Sequence, residues 1–288
     1  MQSVKSSVLE SEYLINPNNR YIKVQDLWNA KIYSQFLDNR TKPALDLCYA
    51  IPHGFSPKSI VDLGCGPGNS TVLLKSRWPK AKVLGIDSSL DMLTTAQNKY
   101  PRITFLKGDI ESFTTEQPID CIFANASLQW VDKHEVLLPR LLSFLNLGGI
   151  LAIQIPNNFH NASHQVIIEI LQTPPWRALY KKIQQTLRYS KLSAPLYKIG
   201  DYYDIFSTAK VANLQLWETI YQHEMPNHQA IFTWLKGSGL RPILSEMSSL
   251  EQKNFESDYL KAIAPHYPPQ KNSKILFPFH RVFMVAQI

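Results

Sequence analysis

The 288-residue chain predicts an α/β fold built on a doubly wound, mixed sheet of seven strands, with an antiparallel last strand and helical cap insertions. From about Ser59, short β-branched runs alternate with amphipathic stretches, the rhythm of strand and helix units stacked around a parallel sheet. A glycine-rich turn follows the first of these runs and opens a helix, a place where the backbone comes close to a ligand. Near the end, Leu214 to His223 and Phe277 to Ala286 are longer alternating runs, suited to an antiparallel pair at one end of the sheet.

Taken in order, Ser59 to Leu63 reads as a first buried strand, Asn69 to Trp78 as a helix punctuated by Pro79, and Lys82 to Asp87 as a second strand ending on an acid. Ser88 and Ser89 cap a helix through Tyr100, with Asp91 near its positive end and Pro101 closing it. Ile103 to Lys107, Ile119 to Ala124 and Ile150 to Ile155 are three more strands, and an apolar helix from about Lys133 to Leu145 stops before Gly148 and Gly149. Trp176 to Lys198 is rich in Lys, Arg and Tyr, and a Pro-initiated helix from Asn227 to Lys236 stops at Gly237 and Gly239; both read as insertions capping the sheet. A helix around Asp38 to Tyr49 precedes the first strand, and Met1 to about Asn19 has no periodicity. The expected organisation is a flexible leader over 1–27 and one domain over 28–288, with insertions at about 172–205 and 226–270.

Composition narrows the function. Hydrophobic residues at 44% and charged residues at 18% belong to a folded chain and exclude a disordered one. Cys48, Cys65 and Cys121 are odd in number, widely spaced and without CxxC pairing, so neither a disulfide framework nor a zinc site is expected, and a reducing cytoplasm fits best. Neither a signal peptide nor an apolar run of membrane-spanning length is visible, so no membrane partner is expected. The net charge of +7 suits acidic small molecules or nucleic acid and does not choose between them. His160 and His164 share helical spacing but lack the third ligand of a zinc motif, so no metal is expected.

The chemistry lies at strand ends. Asp62-Leu-Gly-Cys-Gly-Pro-Gly-Asn-Ser70 carries Gly64, Gly66 and Gly68 in a G-x-G-x-G pattern, whereas the dinucleotide fingerprint needs G-x-G-x-x-G and would place its third glycine at Asn69. Asp87 ends the second strand, placed to accept hydrogen bonds from both hydroxyls of a ribose. Gly108-Asp109-Ile110 follows the third strand, and Asn125 ends the fourth.

These motifs resemble class I S-adenosylmethionine-dependent methyltransferases, and the resemblance implies a Rossmann-like sheet that binds S-adenosyl-L-methionine and releases S-adenosyl-L-homocysteine. On that resemblance the cofactor is held by Asp62, Gly64, Gly66, Gly68, Asp87, Ser88, Asp109, Ile110 and Asn125, with Asp109 at the adenine amino group and Ile110 on the ring. Phe123-Ala-Asn-Ala-Ser-Leu-Gln-Trp130, Tyr202-Tyr-Asp204 and Gly237-Ser-Gly-Leu-Arg-Pro242 further resemble the trans-aconitate 2-methyltransferase family, over about residues 28 to 287. That resemblance places Trp28 and Tyr33 over the cofactor, where aromatic faces stabilise a sulfonium. It implies O-methylation of a carboxylate of a small polycarboxylic acid, most simply trans-aconitate to its monomethyl ester.

A carboxylate is already anionic at neutral pH and needs no base to attack a sulfonium methyl, so catalysis rests on alignment and exclusion of water, where orientation supplies about 7–11 kcal/mol. Arg241 is the first candidate substrate clamp, because it follows two glycines at a helix end and Arg grips carboxylates in bidentate fashion. Arg40, Tyr203, Trp130 and His223 are further candidates for positioning the substrate. Three alternatives stay open: a malonyl-carrier-protein methyltransferase, a nucleic-acid methyltransferase and a cofactor-binding module without transfer. The second lacks the Asn-Pro-Pro-aromatic signature after the fourth strand and a Pro-Cys pair for cytosine attack, so no nucleic acid is expected.

Overall fold

The structure, a computed structural model, describes residues 13–15, 21–23, 41–186, 197–209, 211–236 and 240–288, with the backbone alone at 13–15, 21–23, 184–186, 241 and 242. Strands β1 (Tyr13–Ile15) and β2 (Tyr21–Lys23) pair antiparallel as a small separate sheet. The main sheet holds seven strands, β3 (Ser59–Leu63), β4 (Lys82–Asp87), β5 (Thr104–Lys107), β6 (Ile119–Asn125), β7 (Leu145–Pro156), β8 (Asn213–Met225) and β9 (Ile275–Gln287), in the order β5-β4-β3-β6-β7-β9-β8. The five from β3 to β7 are parallel to one another, and β9 enters antiparallel between β7 and β8. The expected mixed sheet is therefore present, with its switch point at β3, beside which order reverses and a ligand crevice forms.

Helix α1 (Lys42–Ala50) precedes β3, and α2 (Asn69–Arg77), α3 (Leu90–Lys99) and α4 (His134–Leu142) follow β3, β4 and β6. Between β7 and β8 lie α5 (Ala162–Leu171), α6 (Arg177–Thr186) and α7 (Ile199–Thr208); between β8 and β9 lie α8 (His228–Lys236), α9 (Arg241–Leu244) and α10 (Ser249–Ile263). Side chains alternate across the sheet, and the two faces bury different partners. Leu47 and Cys48 of α1, Ile51 just after it and Leu74 of α2 cover the face carrying Ile60, Phe123, Ala152 and Phe283. Leu137, Leu138 and Leu141 of α4 with Tyr202 and Phe206 of α7 cover the face carrying Val61, Ile122, Leu151 and Met284. A further core, with Ile167 of α5, Phe232 of α8 and Tyr259 of α10, packs on Met225, Phe277 and Phe279 at the far ends of β8 and β9.

One boundary differs from the sequence expectation. The helix before β7 ends at Leu142 and the strand begins at Leu145, so Gly148 and Gly149 lie inside β7 instead of stopping a helix. Gly148 has φ +79° and its amide donates to Ile288 O at 2.8 Å, while the pairing with β6 shifts register between Ile119 and Cys121. The glycines serve a bulge that carries the strand past the chain's end. Among the described residues, no helix is long and apolar enough to cross a membrane.

Candidate functional site

The turn from β3 into α2 needs glycine on steric grounds. Gly64, Gly66 and Gly68 have φ of +73°, +54° and +85°, the left-handed region that side chains resist. A Cβ on Gly64 would stand 2.2 Å from Ser127 Cβ, so this glycine lets the turn pack against the loop after β6. A Cβ on Gly66 would meet nothing within 4 Å: that stretch of backbone faces open space. The amides of Gly64 and Cys65 donate to Ile86 O at 2.8 and 3.0 Å, fastening the turn to β4. The Gly66 amide donates to Asp87 Oδ2 at 2.8 Å and the Ser89 amide to Asp87 Oδ1 at 2.9 Å, so the acid at the tip of β4 sets both the glycine turn and the start of α3. Ser89, rather than Ser88, supplies the cap, its hydroxyl accepting from the Met92 amide.

Beside this turn the sheet carries a row of polar groups on one face. Asp62 is fully buried and accepts from Ser70 Oγ at 2.7 Å and Thr71 Oγ1 at 2.6 Å through Oδ2, while Oδ1 has no partner among the described residues. Burial, with the charge of Asp87 adding, pushes its carboxyl up to about 6 against the lowering effect of the two hydroxyls. Directly paired residues share a face, and the register matches Asp62 with Phe123, Phe123 with Ala152, Asn125 with Gln154, and Arg281 with both Pro156 and Thr219. Two-residue steps along β8 add Tyr221 and His223. Asp62, Asn125, Gln154, Arg281, Tyr221 and His223 thus line one face, that of α1. Among the described residues, Asn125 Oδ1, Gln154 Nε2, Arg281 Nε and His223 Nε2 are also buried without a partner, as are Gln129 Oε1 and Asn157 Oδ1 in the loops after β6 and β7. Buried polar atoms are ordinarily paired, so this concentration marks a place for a ligand to complete.

The structure brings Asp62, Gly64, Gly66, Gly68, Asp87, Ser88 and Asn125 to the carboxyl ends of β3, β4 and β6. Asp109 follows β5, exposed, with Oδ1 accepting from the Glu111 amide at 2.7 Å, and half-buried Ile110 packs against the core under Gly64. His223 is 3% exposed, and burial, then the charge of Arg281, pulls its imidazole down to about 4. Trp130 closes the short turn Leu128–Trp130 and is 42% exposed; Tyr203 is 58% exposed on α7, whose buried side packs on the opposite face of the sheet from His223. Trp28, Tyr33 and Arg40 lie outside the described residues, and so does the side chain of Arg241, which opens α9. Among the described residues, no group of three or more His, Cys, Asp or Glu side chains is arranged to hold a metal.

Sequence reasoning missed Gln154 and Arg281. Both interrupt otherwise apolar strand runs, and that interruption was the available signal. Knowing that the two face each other required the antiparallel register of β7 with β9.

Comparison with known proteins follows the same lines. Residues 60–149 match the family described as a methyltransferase domain. A trans-aconitate 2-methyltransferase of Methylobacterium nodulans is 40% identical over 262 residues, covering 90% of this chain and 98% of that protein. Proteins of the same name from Escherichia coli and Azoarcus are 40% and 41% identical over 260 residues, with the same coverage. Among solved structures, the YcgJ protein of Bacillus subtilis superposes with a TM-score of 0.52 at 14% identity, over 85% of this chain and 98% of that one. A Haemonchus contortus phosphoethanolamine N-methyltransferase 2, solved with S-adenosyl-L-methionine, gives 0.52 at 16% identity, over 89% of this chain and 56% of that one. These two likenesses are of fold.

Proposed function

The chain belongs to the trans-aconitate 2-methyltransferase family, and from that membership we propose that it transfers a methyl group from S-adenosyl-L-methionine to a carboxylate of a small polycarboxylic acid, trans-aconitate first among candidates. The observation that carries the reading is the open backbone at Gly66, tied to Asp87 and flanked by the orphaned Asp62 Oδ1 and Asn125 Oδ1. A ligand rich in donors and bearing positive charge fits such a set of acceptors, and S-adenosyl-L-methionine offers an ammonium, two ribose hydroxyls, an adenine amine and a sulfonium.

Bound S-adenosyl-L-methionine supplies an electrophilic methyl group on a cationic sulfur. The chain's residues divide the remaining work. Asp87 is placed to accept from the ribose hydroxyls, since each oxygen keeps a lone pair beyond its backbone donor. Asp62 would meet the positive end of the donor with its free oxygen, and Asp109 with Ile110 would frame the adenine. Because the acid arrives already ionised, no side chain has to remove a proton, and the protein's task is to align the reacting oxygen and exclude water. Arg241, Arg40, Trp130, Tyr203 and His223 are the proposed substrate-side residues.

The decisive experiment incubates purified protein with labelled donor and a panel of di- and tricarboxylic acids, with malonyl carrier protein and RNA as further arms. A methyl ester of trans-aconitate, identified by mass spectrometry, supports the reading. Transfer only to carrier-bound malonate or RNA, or to nothing, removes it.

A further inference from the structure

Among the described residues, Arg281 is a cation buried without a counter-ion. Its side chain is 5% exposed, and among the described residues no carboxylate lies within ion-pairing distance of it. Nη1 donates to Gln154 Oε1 at 3.0 Å, while Nε has no partner among the described residues. Aromatic rings wall the guanidinium, Phe279 at 4.8 Å and Tyr221 at 5.8 Å from its central carbon. Asp46 of α1, bonded to the Tyr221 ring that walls Arg281, is already engaged: it accepts from the Tyr221 hydroxyl at 2.6 Å and from Lys42 Nζ at 2.7 Å. Burial lowers the Arg281 guanidinium to about 10, which leaves it charged at neutral pH. Sequestering an unpaired charge is strongly unfavourable, so a site that keeps one is prepared for an anion.

Two neighbours share that unsatisfied state. Gln154 gives its oxygen to Arg281, which fixes the amide's orientation and turns Nε2, a donor without an acceptor, to the other side. His223 Nε2 is likewise orphaned, on the same face of β8, and it lines a cavity of about 370 Å³ together with Lys42, Asp46, Thr219 and Tyr221. The sheet face thus presents acceptors at Asp62 and Asn125 and donors at Gln154 and Arg281. Arg281 sits at the seam between the apolar core under α1, which holds Tyr221 and Phe283, and the one under α5, α8 and α10, which holds Phe279.

We propose that Arg281, supported by Gln154 and His223, binds a carboxylate of the substrate acid that is not methylated, and so presents the reactive carboxylate toward the end of β6. This rests on the reading of the chain as a polycarboxylate methyltransferase. Arg281 meets the spare carboxylate through the Nε edge of its planar fork, and Gln154 Nε2 supplies a second donor. His223, kept neutral, adds a hydrogen bond without drawing the reactive oxygen away from the methyl group. Substrates with a single carboxylate lose this grip and bind weakly.

The test loads the protein with S-adenosyl-L-homocysteine and titrates trans-aconitate calorimetrically into the wild type, Arg281→Met, Arg281→Lys and His223→Phe, with initial rates measured in parallel. Expected are unchanged S-adenosyl-L-homocysteine binding and, for Arg281→Met, trans-aconitate affinity reduced about tenfold or more, with KM rising more than kcat falls. Arg281→Lys restores part of that affinity, because charge survives while the fork is lost. Unchanged trans-aconitate affinity and KM in an Arg281→Met protein that still binds S-adenosyl-L-homocysteine overturns the proposal. Should that variant fail to bind S-adenosyl-L-homocysteine, the other two decide: wild-type affinity for the acid in both overturns it, and weakened affinity in either supports it. The two readings fail separately. A wild type that methylates trans-aconitate while Arg281→Met behaves identically sinks the anion site alone, whereas Arg281-dependent binding of trans-aconitate without esterification sinks the reaction alone.

Discussion

Asp87 accepts a hydrogen bond from the Gly66 amide at 2.8 Å, so the acid at the tip of β4 holds the middle glycine of the turn at the tip of β3. The same carboxylate takes the Ser89 amide at 2.9 Å. Asp87→Ala removes an acceptor proposed for the ribose and frees the turn at once, and donor affinity is expected to fall by about 1–3 kcal/mol. Asp87→Asn keeps one oxygen for the Gly66 amide, so its loss should be smaller. Calorimetry with S-adenosyl-L-homocysteine measures both; wild-type affinity in Asp87→Ala takes Asp87 out of the site.

Gly64 and Gly66 separate architecture from binding. A methyl group on Gly64 runs into Ser127 Cβ at 2.2 Å as well as into an unfavourable φ, so Gly64→Ala should lower the melting temperature clearly, with or without donor. At Gly66 the space is empty and only the left-handed backbone resists, a cost of about 1–2 kcal/mol. Gly66→Ala should therefore stay folded and lose donor affinity, because its methyl occupies the open approach. The ordering reverses if Gly66→Ala binds the donor normally while Gly64→Ala is as stable as the wild type.

These glycines and Asp87 were legible in the sequence because each answers a local demand: a left-handed turn, a close approach, an acid where a strand stops. The positions of β3, β4 and β6 were legible for the same reason, since a buried parallel strand writes itself as a short apolar run. The start of β7 was not, because Leu145 reads as the end of a helix and Gly148 and Gly149 as its stop until Ile119 and Ile288 are seen to pair with this stretch. Arg281 was harder still. Its neighbours Gln154 and Tyr221 are more than fifty residues away in sequence, and only the insertion of β9 between β7 and β8 puts the three on one face.

Asp62 gives the proposed donor site a pH dependence. Burial raises its carboxyl to about 6, so below that pH the folded protein holds a proton there that the unfolded chain, near the ordinary 3.8, has released. The sign follows: this group favours the folded state at low pH, and that contribution is lost as pH rises through 6. A positively charged donor needs the ionised form, so its affinity should climb between pH 5 and 7. Asp62→Asn should bind the donor more weakly at pH 7 and show a flatter profile over that range. An equally steep climb in the variant would assign the titration elsewhere.

His164 offers a test of stability away from the proposed site. It follows Ser163 on α5, with Nδ1 3.1 Å from the Ser163 hydroxyl, and burial lowers its imidazole to about 4. In the unfolded chain it protonates near 6.5, so between 6.5 and 4 the unfolded state binds a proton that the native state refuses. Stability from this residue is therefore present above 6.5 and declines as pH falls toward 4, by about 1.4 kcal/mol for each unit of that window. Asp62 works in the opposite direction over part of the same range, so the wild-type profile alone does not isolate His164. The difference between His164→Gln and wild type does. Urea midpoints at pH 7.5 and pH 5 should show the variant costing more stability at the higher pH than at the lower, because the wild type loses its advantage as the unfolded imidazole charges. A cost that is the same at both values means that His164 titrates alike in the folded and unfolded chains, and then burial on α5 does not hold it neutral.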